Sequence, residues 1–167
     1  MTKNLDSLLR VNHAGEMGAI AIYEGQLAVL GKTDIGPQLD EMLDQEKEHF
    51  DYFDKKLKET RTRPTVLSPL WKIGGFAMGA ATALLGRRAA MACTVAVEEV
   101  IDKHYSDQLD EIDDPELAEK IIAFRDDEIH HEEAARNYGA EYAPFYKPLT
   151  TVIKGITKAA IFASKKI

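Results

Sequence analysis

Glu46-Lys47-Glu48-His49 and Glu128-Ile129-His130-His131 are two copies of a Glu-x-x-His pattern, set 82 residues apart in a chain of 167. Residues three apart project from one face of a helix, so each copy presents a carboxylate and an imidazole together. A solitary glutamate precedes each copy by 30 residues: Glu16 before Glu46, and Glu98 before Glu128. The same shift of 82 carries Tyr23 onto Tyr105, Gln26 onto Gln108 and Leu27 onto Leu109. The second half of the chain therefore repeats the first.

The surroundings of each motif have helical period. Leu9, His13, Glu16, Ile20, Tyr23, Leu27 and Leu30 recur at steps of three and four, as do Leu39, Met42, Glu46, His49, Phe53 and Leu57. Met91, Thr94, Glu98, Ile101, Tyr105, Leu109 and Ile112 form a third stripe, and Leu117, Ile121, Phe124, Glu128, His131 and Ala135 a fourth. Nothing alternates with the period of a strand. Gly31, Asp34 and Pro37 separate the first pair of stripes. Asp113-Asp114-Pro115 separates the second, with Asp114 suited to an N-cap and Pro115 to the first turn of a helix. The pattern predicts an all-α fold of one domain over 1–167. Two helical hairpins (6–60 and 89–141) are joined by one long apolar crossover (61–88) into a four-helix bundle, and an amphipathic C-terminal helix follows over 146–166.

Each stripe carries a carboxylate where a bundle core should be apolar. Burying an unpaired carboxylate costs several kcal/mol, so these groups need neutralising. The midpoint of each Glu–Glu pair falls at Gly31 or Asp113, inside the expected turns, and residues equidistant from a hairpin turn sit at the same height. Glu16 is thus expected to face Glu46 and His49, and Glu98 to face Glu128 and His131. One Glu from each of two helices and Glu-x-x-His from each of the other two is the ligand pattern of carboxylate-bridged dinuclear metal sites. Four carboxylates match two divalent cations, and oxygen with imidazole nitrogen suits iron or manganese. Glu48, Glu99, His130, Glu132 and Glu133 fall off the stripes and are expected on a solvated face.

The formal net charge is -7, and it is unevenly distributed. All 28 acidic residues lie in 1–60 and 98–141, while 61–97 and 142–167 hold only basic charges. The acid excess argues against nucleic acid as a partner. A single cysteine, Cys93, excludes an intrachain disulfide and any Cys-based zinc or iron–sulfur site. The N-terminal Met1-Thr2-Lys3-Asn4-Leu5-Asp6 shows no targeting peptide. The crossover is far more apolar than a connection requires, with Leu67, Leu70, Trp71, Ile73, Phe76 and Met78 among Gly and Ala. Its uncharged run is shorter than the roughly 20 residues of a transmembrane helix. In the tail, Leu149, Val152, Ile153, Ile156 and Ala160 share one face, and Lys154, Lys158 and Lys165 lie opposite. Such a helix suits the surface of an anionic membrane, and both segments also suit packing on the bundle or on another subunit.

At Arg10-Val11-Asn12-His13-Ala14-Gly15-Glu16 the chain resembles the demethoxyubiquinone hydroxylases of ubiquinone biosynthesis. The resemblance continues through Ile22-Tyr23-Glu24-Gly25-Gln26, Glu46-Lys47-Glu48-His49, Val97-Glu98-Glu99, His104-Tyr105 and Phe124-Arg125-Asp126-Asp127-Glu128 with His131, over about residues 8–147. It implies a ferritin-like di-iron monooxygenase that uses O2 to hydroxylate the ring of a lipophilic quinone, with NADH as ultimate electron donor. The matched iron ligands are Glu16, Glu46, His49, Glu98, Glu128 and His131, with Glu46 and Glu128 bridging. The resemblance places His104 and Tyr105 near substrate and in electron delivery. It implies peripheral attachment to the cytoplasmic face of a bacterial inner membrane, or to the matrix face of the mitochondrial inner membrane for a processed form. It also implies contact with a lipid-binding accessory protein or other enzymes of the route. The competing expectations are a ferritin-like iron oxidase and another quinone-interacting di-iron oxidase. No Gly-x-Gly-x-x-Gly follows a strand, so electrons must arrive through the substrate or another molecule. Of the tyrosines, Tyr105 is expected to be functional and Tyr23 equally suited to filling the core. His13, one turn before Glu16, is a candidate to support that ligand.

Overall fold

The structure is a computed structural model and describes residues 3–166, so Met1 and Thr2 of the stretch searched for a targeting signal, and Ile167, lie outside the described residues. Six helices follow one another: α1 (Lys3–Leu30), α2 (Gly36–Thr60), α3 (Ser68–Leu84), α4 (Arg87–Leu109), α5 (Pro115–Asn137) and α6 (Tyr146–Ser164). A single 3-10 turn, Ala140–Tyr142, precedes α6, and no strand occurs among the described residues. The fold is an all-helical bundle, as the periodicity predicts.

The helix ends form where the local chemistry requires. Asp114 caps α5: its carboxylate accepts the backbone N–H groups of Glu116 and Leu117, and Pro115 fills the first position, where no N–H is needed. Helix α2 stops at Arg61, whose φ of 57° is left-handed, and the Thr62 N–H turns back to the Leu57 carbonyl at 2.9 Å.

Helices α1 and α2 pair as one hairpin and α4 and α5 as the other. The hairpins meet with α1 antiparallel to α4, since Asn12, Glu16 and Tyr23 face Gln108, Tyr105 and Glu98 in turn. The crossover contains a helix of its own. Helix α3 runs parallel to α1, with Gly75 beside Gly18 and Gly79 beside Ile22. An added Cβ at Gly79 would overlap the carbonyl oxygen of Ile22, and one at Gly25 that of Phe76. Small residues on both helices therefore set this close approach. Gly79→Ala is expected to cost about 1–3 kcal/mol through overpacking, read as a lowered denaturation midpoint at unchanged slope.

The shift of 82 places 68–84 on 150–166, and α6 packs along α4 as α3 packs along α1. The repeated unit is thus three helices, larger than the hairpin the motifs alone suggest. Docking of α6 splits the apolar face expected of the tail. Leu149 and Ile153 pack into the core, whereas Val152 and Ile156 remain 60% and 52% exposed. Lys154 is bonded to Glu99 of α4, which also accepts from Arg136. Glu99 therefore fastens three helices and does not lie on a merely solvated face. No helix among the described residues is long and apolar enough to cross a membrane.

Candidate metal centre

The four core stripes bring their polar members to one place. None of Glu16, Glu46, His49, Glu98, Glu128 and His131 is more than 2% exposed. Ligand atoms of Glu16, Glu46, His49 and Glu128 lie within 4.8 Å of one another, and so do those of Glu46, Glu98, Glu128 and His131. Glu46 and Glu128 belong to both groups. Nδ1 of His49 faces Glu128 Oε1 at 3.4 Å and Glu46 Oε2 at 3.9 Å. Nδ1 of His131 faces Glu128 Oε2 at 3.4 Å and Glu46 Oε1 at 3.3 Å. Each shared carboxylate thus turns one oxygen to either imidazole.

The outer contacts repeat across the two halves. Tyr23 donates to Glu98 Oε1 at 2.6 Å, and Tyr105 donates to Glu16 Oε1. Nε2 of His49 meets Asp127 at 3.1 Å, and Nε2 of His131 meets Gln45 at 2.8 Å. These partners orient the imidazoles and leave both Nδ1 atoms pointing inward. Eight buried atoms of the six residues then lack any hydrogen-bond partner: Oε2 of Glu16 and Glu98, both oxygens of Glu46 and Glu128, and both Nδ1 atoms. Orphaned buried acceptors are costly, and converging ones are the donor set for cations. The residues present therefore fit two divalent ions.

Electrostatics carry the same message. Burial, with Glu128 and Glu16 close by, pushes Glu46 well above the usual carboxylate range, and burial beside Glu128 does the same to Glu98. Burial would also raise Glu128, but the two imidazoles hold it down to about 2. Against its own burial, His49 is raised to about 12 by the facing carboxylates of Glu128, Glu16 and Glu46. Without cations, protons gather on this cluster in their place. Cys93 takes no part, since burial pushes its thiol up to about 12. Burial and Glu98 push Tyr23 well above the phenol range, and burial and Glu16 do so for Tyr105; both remain donors.

Both tyrosines thus hold an outer carboxylate, and of the two only Tyr105 also lines the cavity described below. Tyr23→Phe and Tyr105→Phe are each expected to weaken metal binding by about 10- to 100-fold, measured by competition with a chelating dye. His13 does not support Glu16 by a hydrogen bond. Its Nε2 lies 3.5 Å from Asp54 of α2, and its ring lies tilted against Phe50, with centroids 4.6 Å apart. Gln45 and Asp127 lie off the stripes, although the shift of 82 relates them and each immediately precedes a shared glutamate.

A cavity of about 400 Å³ lies between α1, α3, α4 and α6. Glu16, His104 and Tyr105 line it, together with Trp71, Met78 and Ile101 among others. The structure thus brings His104 and Tyr105 to one cavity with Glu16. Leu70 and Ile156 also line it and are more than half exposed, so it reaches the surface between α3 and α6. Trp71 joins those helices there by donating its indole N–H to Ser164 Oγ at 2.9 Å.

Residues 3–164 match the family described as ubiquinone biosynthesis protein COQ7. The chain belongs to that family. It is 51% identical over 168 residues to a protein of Dictyostelium discoideum named NADPH-dependent 3-demethoxyubiquinone 3-hydroxylase, mitochondrial, covering 98% of this chain and 77% of that one. A human protein of the same name is 47% identical over 169 residues, with 98% and 78% covered. A protein of Rhodospirillum rubrum named 3-demethoxyubiquinol 3-hydroxylase is 49% identical over 167 residues, with 98% and 78% covered. The first two names specify NADPH, where the resemblance had implied NADH.

Proposed function

We propose that this member of the COQ7 family hydroxylates the ring of demethoxyubiquinone, as a di-iron monooxygenase on a ferritin-like bundle formed by α1, α2, α4 and α5. The observation that carries the reading is the cavity, which is lined chiefly by apolar residues, reaches the surface and ends on Glu16 and Tyr105. A quinone ring fits such a space, and its isoprenoid tail fits the apolar mouth between α3 and α6.

Glu16, Glu46, His49 and Glu128 would hold one iron and Glu46, Glu98, Glu128 and His131 the other. When bound, such a pair supplies reduction of O2 and insertion of one oxygen atom, the second leaving as water with two electrons from a nicotinamide donor. The chain's own groups do the rest. Tyr23 and Tyr105 donate to the outer carboxylates and fix which oxygen of each is free for metal. Asp127 and Gln45 fix the imidazoles. Val97, Ile101 and Met78 keep water from the ring, and His104 offers it a polar contact.

Iron-loaded protein incubated with O2, a short-chain demethoxyquinone and either NADH or NADPH should yield a product heavier by one oxygen atom, labelled when 18O2 is used. Oxidation of iron without change in the quinone would refute the hydroxylase in favour of an iron oxidase.

The cavity mouth supports peripheral attachment to a quinone-bearing membrane as part of this reading. Leu70 and Ile73 of α3 and Ile156 and Phe162 of α6 are all exposed, and Lys158 and Lys166 accompany them. An apolar rim with cations is suited to the interface of an anionic bilayer. Ile73→Glu combined with Phe162→Glu should lower binding to anionic vesicles by about tenfold or more, with the melting temperature unchanged, in a sedimentation assay.

A further inference from the structure

Two polar side chains beside the cavity are unused so far. Asn12 and Gln108 are nearly buried and form a reciprocal pair: Asn12 Nδ2 donates to Gln108 Oε1 at 2.9 Å, and Gln108 Nε2 donates to Asn12 Oδ1 at 2.7 Å. Gln108 Nε2 also lies 2.7 Å from His104 Nε2, one helical turn earlier on α4. A carboxamide nitrogen has two hydrogens. One of them goes to Asn12, so the other goes to the imidazole, whose Nε2 must then be a lone pair.

The internal repeat shows that packing does not require this arrangement. Under the shift of 82, Gln108 corresponds to Gln26, Asn12 to Thr94 and His104 to Ile22. Gln26 donates instead to the Ala90 carbonyl at 3.0 Å and to Thr94 Oγ1 at 3.4 Å, and its Oε1 has no partner. The same scaffold accepts Thr and Ile in these positions. Asn12 and His104 instead come together from α1 and α4 on the one cavity that Glu16 lines.

We infer that Asn12 and Gln108 are positioning residues for His104: their paired carboxamides hold its Nε2 as an acceptor, so the ring offers a molecule in the cavity one N–H, on Nδ1. The inference rests on the proposed function only in naming that molecule, a quinone whose ring oxygen accepts the hydrogen bond. The ring is also kept neutral. Burial and Lys165 hold His104 down to about 4, against Asp107 on its own helix and Glu111 just beyond the end of that helix. Glu99, Lys103, Lys154 and Lys158 share a second surface pocket with it. His104 is therefore a fixed donor near neutral pH and takes no proton at Nε2.

Nitrogen-15 NMR of the full chain loaded with zinc, which is diamagnetic, reads the tautomer directly, with the His104→Gln spectrum identifying the signal among five histidines. The expected result is a proton on Nδ1 and a bare Nε2 throughout neutral pH. Gln108→Glu places a carboxylate against Nε2, so the imidazole should gain a second proton and its midpoint should rise by about two units. Gln108→Leu should release the ring to exchange between tautomers. A proton found on Nε2 in the unaltered protein overturns the inference. So does a Gln108→Leu variant that melts earlier yet keeps the tautomer and midpoint, since that marks a merely structural pair. These spectra need no turnover and stand or fall apart from the hydroxylase reading. Product formation with the proton on Nε2 would sink the inference alone.

Discussion

Glu46→Ala or Glu128→Ala is expected to release both metal ions and to lower hydroxylation by about a thousandfold or more, the loss of about 4 kcal/mol of transition-state stabilisation. These two carboxylates face both imidazoles, one oxygen toward each, so removing either strips both positions of a ligand. Glu98→Ala should behave differently. Glu98 belongs to the His131 group alone, so the position built on Glu16 and His49 keeps its full set. Metal analysis after gel filtration distinguishes the cases: near zero per chain for the shared carboxylates, about one for Glu98→Ala. Equal losses for all three would show that the sharing is not as the geometry indicates.

Removing metal from the unaltered protein should lower its melting temperature by about 10 °C. Burial with Glu128 close by pushes Glu46 and Glu98 well above the usual carboxylate range, so without cations the folded chain must take up protons there in place of metal. Binding to the folded state alone contributes about 4 kcal/mol when free metal is a thousandfold above Kd. For a chain of this length each kcal/mol moves the midpoint by about 2–4 °C. Calorimetry with and without Fe(II) under anaerobic conditions measures the difference. An unchanged midpoint would count against the six-residue site. The effect should shrink in Glu46→Ala, where one buried charge is gone and the remaining donors no longer form two complete sets.

Much of the bundle is legible in the chain because helices advertise their buried face by period. The stripe through Leu39, Met42, Glu46, His49 and Phe53 needs no tertiary information to be read as a helix, and the intrusion of Glu and His marks it as more than core. Asp114-Pro115 names its own helix start. The crossover is harder to read. Gly, Ala and bulky apolar residues occur on all sides of it, so no single face stands out, and its partner is decided by where Gly75 and Gly79 let two backbones meet. The tail shows a face, but nothing in its period distinguishes a side chain that docks on α4 from one that meets another surface.

The repeat and its six ligand candidates follow from sequence by itself, because a fixed offset and a fixed helical pitch together determine which side chains share a height and a face. Only the tertiary structure decides which contacts cross between helices. Tyr23 reaches Glu98, Tyr105 reaches Glu16, and each imidazole takes its outer partner from the other half, Asp127 for His49 and Gln45 for His131. Those pairings depend on the antiparallel set of α1 against α4 and on side chains far apart in the chain. The cavity depends on packing too, since it is space left between α3 and α6, and local periodicity carries no record of where neighbouring helices fail to touch.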